Sequence, residues 1–140
     1  MTRVAAIQMV SSADVGPNLD VASRLLREAR AQGARVATLP ENFAFMGVAE
    51  ADKFAIAESD GDGPIQARLA SLASELGLWI VAGTIPLRVP GETRLAAACL
   101  VYDAAGRRVA RYDKMHLFDV EIPGKDECYQ ESASVRPGAT

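Results

Sequence analysis

A mixed α/β fold is what the sequence predicts, on three observations: short apolar runs of strand character, two longer runs with a helical period set between them, and Gly or Pro at most boundaries. The first strand is read from about Val4 to Val10 and gives way to the polar stretch Ser11 to Asp14. A helix follows: Pro17 suits its first turn, Ala22, Leu25, Leu26 and Ala29 recur at three- and four-residue steps, and Gly33 stops it. Ala34 to Leu39 is a short second strand, and Pro40 biases Leu39 to extended geometry, which sets where Glu41 emerges. Ala49 to Glu58 is read as a short surface helix. Gly61-Asp62-Gly63-Pro64 then punctuates the chain before a second amphipathic run, with Ile65, Leu69, Leu72 and Leu76 on one face and Gly77 at its end. Leu78 to Ile85 is almost continuously apolar, the pattern of a strand covered on both faces. Pro86 to Thr93 is read as a loop. Leu95 to Tyr102 and Arg107 to Tyr112 form a hairpin around Asp103-Ala104-Ala105-Gly106. The order is βαβ(α)αβββ, without internal repeat, low-complexity tract or linker, so no domain boundary is expected.

Composition narrows the class of partner. The 140 residues are 49% hydrophobic with a net charge of -3, which describes one domain of ordinary size with a real core. No apolar run approaches the roughly 20 residues of a membrane-spanning helix, and the start Met1-Thr2-Arg3-Val4 lacks a signal-peptide layout, so a cytoplasmic protein away from membranes is expected. The acidic balance and the lack of a Lys/Arg stripe argue against nucleic acid and leave a small-molecule partner. Cys99 and Cys128 are too few for a disulfide framework and too far apart for a zinc site, so reduced thiols are expected and no metal. The lone His116 has no partner ligands nearby and is read as a packing or supporting group.

Two charged residues stand where open α/β sheets carry their chemistry, just past strand ends. Glu41 follows the second strand in Leu39-Pro40-Glu41-Asn42-Phe43, and Lys114 follows the hairpin in Tyr112-Asp113-Lys114-Met115-His116-Leu117-Phe118-Asp119. Taken singly, Glu41 reads equally as a solvated or capping loop carboxylate and Lys114 as a surface charge. Together with Tyr129-Gln130-Glu131-Ser132 they give three separated motifs in order, and the pattern extends from the opening Ala5-Ala6-Ile7-Gln8-Met9 to Arg136-Pro137-Gly138.

This constellation resembles the nitrilase superfamily of carbon-nitrogen hydrolases, and most closely its Nit amidase branch. The resemblance implies an α-β-β-α sandwich, of which residues 1–140 would be the N-terminal portion of a single domain. It implies a Glu-Lys-Cys triad acting without metal or organic cofactor on a small amide, with water as second substrate. Glu41 maps to the general base, Lys114 to the cation beside the developing oxyanion, and Glu131 to a second glutamate that positions substrate or holds the lysine. Asn42, Phe43, Tyr112 and Phe118 are candidates for the pocket wall, although aromatic side chains beside a site are as readily core. A homo-oligomer is usual for the family, and a carboxylate-bearing monoamide is the substrate that the Nit branch suggests.

The third triad member is expected beyond Thr140. Cys128 superficially matches the Cys-Tyr start of the family's nucleophile motif, but Asp126-Glu127-Cys128-Tyr129-Gln130-Glu131 is polar and acidic where a nucleophile elbow needs a buried strand, and carboxylates raise a thiol pKa. Cys99 lies inside an apolar strand, where cysteines are usually inert. The 140 residues alone are therefore expected to be inactive. Two other readings stay open: a non-catalytic subunit or binding module of the same fold, and a nucleotide-binding domain. The latter is undercut by Gln66 standing where a third glycine of the phosphate loop belongs.

Overall fold

A computed structural model describes residues 1–121 and 128–139 of the chain. Among the described residues, β1 (Val4–Ala6), β2 (Val36–Leu39), β3 (Trp79–Ala82), β4 (Ile85–Arg88), β5 (Leu95–Tyr102) and β6 (Arg108–Asp113) form one mixed sheet. Two helices, α1 (Val15–Ala31) and α2 (Pro64–Leu76), pack on one face of it, and β7 (Asp119–Glu121) pairs with β8 (Cys128–Gln130) in a separate ribbon.

The sequence dictates the helix ends. Asp14 caps α1 by accepting from the Gly16 N–H, and the backbone leaves the helix through Gly33 at φ 86. Gly77 ends α2 in the left-handed conformation and donates to the Ala73 and Ser74 carbonyls. The start of α2 is less ordinary. Its first free N–H groups, those of Ile65 and Gln66, donate to the Glu58 carboxylate at 2.5 and 3.1 Å, so the chain supplies its own anion to the positive end of the helix. A Cβ on Gly63 would lie 2.2 Å from that carboxylate, which is why the turn needs glycine there. The helix N-terminus that a phosphate loop would use is therefore occupied.

The helices bury Ala22, Leu26 and Ala29 from α1 and Ile65, Leu69 and Leu72 from α2 against Ala37, Leu39, Ile80, Ala82 and Leu100 of the sheet. Each large aliphatic side chain removed from water there stabilises by about 2 kcal/mol. β1, β2 and β3 run parallel, while β5 is antiparallel to β3, β4 and β6. The expected hairpin between β5 and β6 is present, its turn closed by the Gly106 N–H on the Asp103 carbonyl at 2.9 Å.

Several boundaries depart from expectation for identifiable reasons. β1 stops at Ala6, with one further bond from the Ile7 N–H to the Thr38 carbonyl, because its partner strand meets Pro40, which has no N–H to continue the ladder. The apolar run 78–85 is two strands, not one. Both lie along the same edge of β5, but the pairing register shifts by one residue between β3 and β4, and the chain bends at Gly83 and Thr84. Residues 85–88, expected as loop, continue that edge. Pro86 is tolerated because its carbonyl, and hence its ring nitrogen, faces outward to Glu58 and away from β5. Nor is β3 covered on both faces: Trp79 is 43% exposed and Val81 half-buried, while Ile80 and Ala82 are buried under the helices. The region from Ala49 makes a single 3₁₀ turn at Glu50–Phe54, since Glu58 is drawn away to cap α2. The ribbon of β7 and β8 has no counterpart in the expected elements.

Candidate active site

One end of the sheet gathers the carboxyl ends of β2, β3 and β6 and the start of β5, and both singled-out charges emerge there. The loop bearing Glu41 is shaped by its neighbours. Gly83, at φ 47, lies so close beneath it that a Cβ would fall 1.9 Å from the Pro40 carbonyl oxygen. Thr84 Oγ1 accepts the Asn42 N–H at 3.1 Å, and this holds Asn42 in a left-handed conformation with φ 55. Farther on, Ser11 Oγ donates to the Phe43 carbonyl at 3.1 Å and Asn18 Nδ2 to the Ala44 carbonyl at 3.0 Å, tying the loop to the start of α1.

Lys114 is fixed through its backbone: its N–H donates to the Ala97 carbonyl at 2.9 Å, and its carbonyl accepts from Gly138 at 2.9 Å. Just before it, Asp113 receives a two-pronged Arg111 guanidinium at 2.7 and 2.9 Å, and Arg111 also reaches Asp60 at 2.9 Å. That pairing, led by the Asp113 hydrogen bond, raises the Arg111 pKa further, so the strand end is braced by a permanent cation.

The Lys114 ammonium donates to Glu41 Oε1 at 2.7 Å and to Glu131 Oε2 and Oε1 at 2.9 and 3.2 Å. Glu131 is buried, and its Oε2 also accepts the Phe118 N–H at 2.7 Å, whereas the Glu41 side chain is 50% exposed. Partial burial pulls the Lys114 pKa down, but the hydrogen bonds and charges of Glu41 and Glu131 outweigh it and leave the group above the ordinary lysine value. The result is an ammonium that stays charged at neutral pH, gripped by a buried carboxylate on one side and offered a more accessible one on the other.

Glu41 and Lys114 border a cavity of about 440 Å³, within the size range of small-molecule sites. Asn42 and Phe118 line it, and Phe118 stacks at a tilt on Tyr129, ring centroids 5.7 Å apart. Two residues expected on the wall are elsewhere. Phe43 is fully buried in the helix-side core, and Tyr112 lies on β6 away from the cavity, its hydroxyl accepting the Met115 N–H at 3.4 Å. His116 is exposed, and among the described residues no group of three or more His, Cys, Asp or Glu is arranged to hold a metal ion. Among them also, no helix is long and apolar enough to cross a membrane. Burial pushes the Cys99 thiol pKa up. Asp126 and Glu127, and the side chain of Cys128 whose reading rested on them, lie outside the described residues. Sequence reasoning did not place Thr84, Glu50, Lys53 or Tyr129 on the cavity; Thr84 left a sign as a polar residue interrupting an apolar run, and Tyr129 as the first residue of the motif that contains Glu131.

Two helices layered on a mixed sheet, with a lysine held between two carboxylates past the strand ends, define an α/β domain with a charged pocket at one end of its sheet. The sequence profile of the carbon-nitrogen hydrolase family matches residues 3–139, and the chain belongs to that family, the nitrilase superfamily, in its Nit branch. It is 34% identical over 136 residues to the human omega-amidase NIT2, covering 97% of this chain and 48% of that protein. It is 38% identical over 135 residues to the deaminated glutathione amidase of Synechocystis sp. (strain PCC 6803 / GT-S), covering 96% and 48%. Among solved structures, the C. elegans NitFhit protein superposes with a TM-score of 0.82 at 27% identity over 97% of this chain and 33% of that one. An amidase from Nesterenkonia sp. AN1 gives 0.80 at 25% identity over 100% and 51%. The chain thus spans about half the length of the curated relatives it matches, and its helices and sheet belong to the nitrilase-type α-β-β-α sandwich.

Proposed function

We propose that the chain is the N-terminal portion of one carbon-nitrogen hydrolase domain that cleaves the C–N bond of a small, carboxylate-bearing amide through a Glu-Lys-Cys triad. The observation that carries this reading is the Lys114 ammonium 2.7 Å from Glu41 and 2.9 Å from Glu131 at the mouth of the cavity. The nucleophile is a cysteine outside these 140 residues. Glu41 takes the thiol proton as sulfur attacks the amide carbonyl, and Lys114 faces the oxygen that becomes negative. The tetrahedral intermediate collapses to a thioester as Glu41 returns the proton to departing ammonia, and water then hydrolyses the thioester. Glu131 keeps the ammonium aimed and spares Glu41 from holding it alone. The omega-amidase and deaminated glutathione amidase relatives support the substrate class. No metal or organic cofactor enters the scheme, and the enzyme works in the cytoplasm as a homo-oligomer.

The test is pre-steady-state ammonia release from a monoamide by the full-length protein. Glu41→Gln and Lys114→Ala should each reduce acyl-enzyme formation by at least about a hundredfold, the usual effect of losing such a group. A burst of near-normal size in either variant refutes the roles. A folded full-length protein inert on every small amide would favour a non-catalytic subunit of the same fold.

A further inference from the structure

Two ammonium groups stand on the cavity wall, and they differ in how fully they are used. Lys114 spends its donors on Glu41 Oε1 and both oxygens of Glu131. Lys53, in the 3₁₀ turn Glu50–Phe54, has one acceptor among the described residues, Glu50 Oε2 at 2.6 Å, although an ammonium carries three N–H groups. Its side chain is only 18% exposed, more enclosed than the Lys114 side chain at 21%. An ion pair three residues apart in a helical turn is worth well under about 1 kcal/mol and forms as readily in open water, so it does not by itself account for a lysine withdrawn into the cavity wall. Glu50 is anchored in turn by the Ser134 hydroxyl at 3.1 Å. Burial pushes the Glu50 carboxyl up, but Lys53, Ser134 and more weakly Lys114 outweigh it and hold it below the usual range, so both cations act on one carboxylate between them.

We propose that Lys53 determines the substrate class of this site: its spare N–H groups receive the free carboxylate of a monoamide whose amide carbon lies between Glu41 and Lys114, while Glu50 holds the ammonium in place. This rests on the amidase reading above. Lys53 has no part in bond cleavage. Glu50 competes with the substrate carboxylate for the same cation, so the two residues should move selectivity in opposite directions, which a merely structural pair would not do.

The experiment uses the full-length protein and compares kcat/KM for succinamate, the monoamide of a four-carbon diacid, with that for butyramide, its uncharged counterpart. The succinamate-to-butyramide ratio should fall at least tenfold in Lys53→Met, be largely retained in Lys53→Arg, and rise in Glu50→Gln. An unchanged ratio in Lys53→Met, or a fall in Glu50→Gln, overturns the proposal. In parallel, succinate is titrated calorimetrically into each variant, with thermal melts confirming that each is folded. A Kd at least tenfold weaker in Lys53→Met and tighter in Glu50→Gln supports the assignment, and equal Kd values overturn it. Should the unmodified protein split neither amide, the amidase reading fails and the succinate titration still decides Lys53. Should Lys53→Met not fold, the direction of the Glu50→Gln change decides it.

Discussion

At Gly83 a single hydrogen atom stands where any other residue would drive a carbon to 1.9 Å from the Pro40 carbonyl oxygen, with φ 47 adding backbone strain. Gly83→Ala should therefore destabilise by about 2 kcal/mol or more, visible as a lower urea midpoint, because either the β3–β4 bend or the Glu41 loop must yield. A midpoint within error of the parent would show that the close approach is not maintained in solution. Glu58 makes the complementary case. Glu58→Ala leaves the Ile65 and Gln66 N–H groups buried without their carboxylate and should cost about 1–3 kcal/mol, measured in the same titration. The Glu58 role was invisible in the sequence, since nothing local marks a glutamate seven residues upstream as a helix cap. The places of Glu41 and Lys114 past strand ends were legible from the strand signals before them, whereas their pairing was suggested only by the ordered motifs that contain them. Phe43 was not: proximity to Glu41 in sequence said nothing of the turn at Asn42, which sends the aromatic ring into the core.

Elements meet at the lysine. The loop after β2, the loop after β6 and the short turn after β8 are joined by one ammonium and two carboxylates, so the contact is a long-range staple as well as a site. Its pH dependence has a definite sign. Because the folded-state pKa of Lys114 is raised above the ordinary 10.5, its contribution is complete below that value and is lost as pH rises through the higher folded one. The carboxyl of Glu50 is shifted the other way, below its ordinary 4.5, so its contribution is present above that value and disappears as pH falls through the lowered one. Thermal melts across pH should show the gap between the parent and Lys114→Met steady through neutrality and narrowing only in strong alkali. A gap that closes near pH 7 would mean that the ammonium is not held as described. The helices and the β5–β6 hairpin were readable from period and turn residues, whereas the split of residues 78–88 was not. Nothing in an apolar run announces a one-residue bulge, and Pro86 argued for a loop because its harmless outward orientation depends on tertiary packing.

The sheet as a whole has one helical face and one open face. Pairing places Val36 beside Trp79, Thr38 beside Val81, Val81 beside Val101, and Cys99 beside Tyr112 on the side away from the helices, all of them partly or largely exposed. Such a largely apolar strip marks a surface meant to be covered, and the alternation along β5, buried residues at Ala98, Leu100 and Tyr102 against half-buried ones at Cys99 and Val101, shows that on this strand the second face carries small and β-branched residues suited to sheet packing. The 140-residue chain on its own should therefore self-associate through this face. Sedimentation velocity should give a concentration-dependent increase in mass for the chain and a monomer for the Val81→Glu/Val101→Glu double variant, since two carboxylates in the strip would have to be desolvated to bury it. A parent chain that stays monomeric to high concentration, or a double variant that associates just as strongly, would mean that the open face is not what joins copies. The half of the fold seen here would then be covering its apolar side by another route.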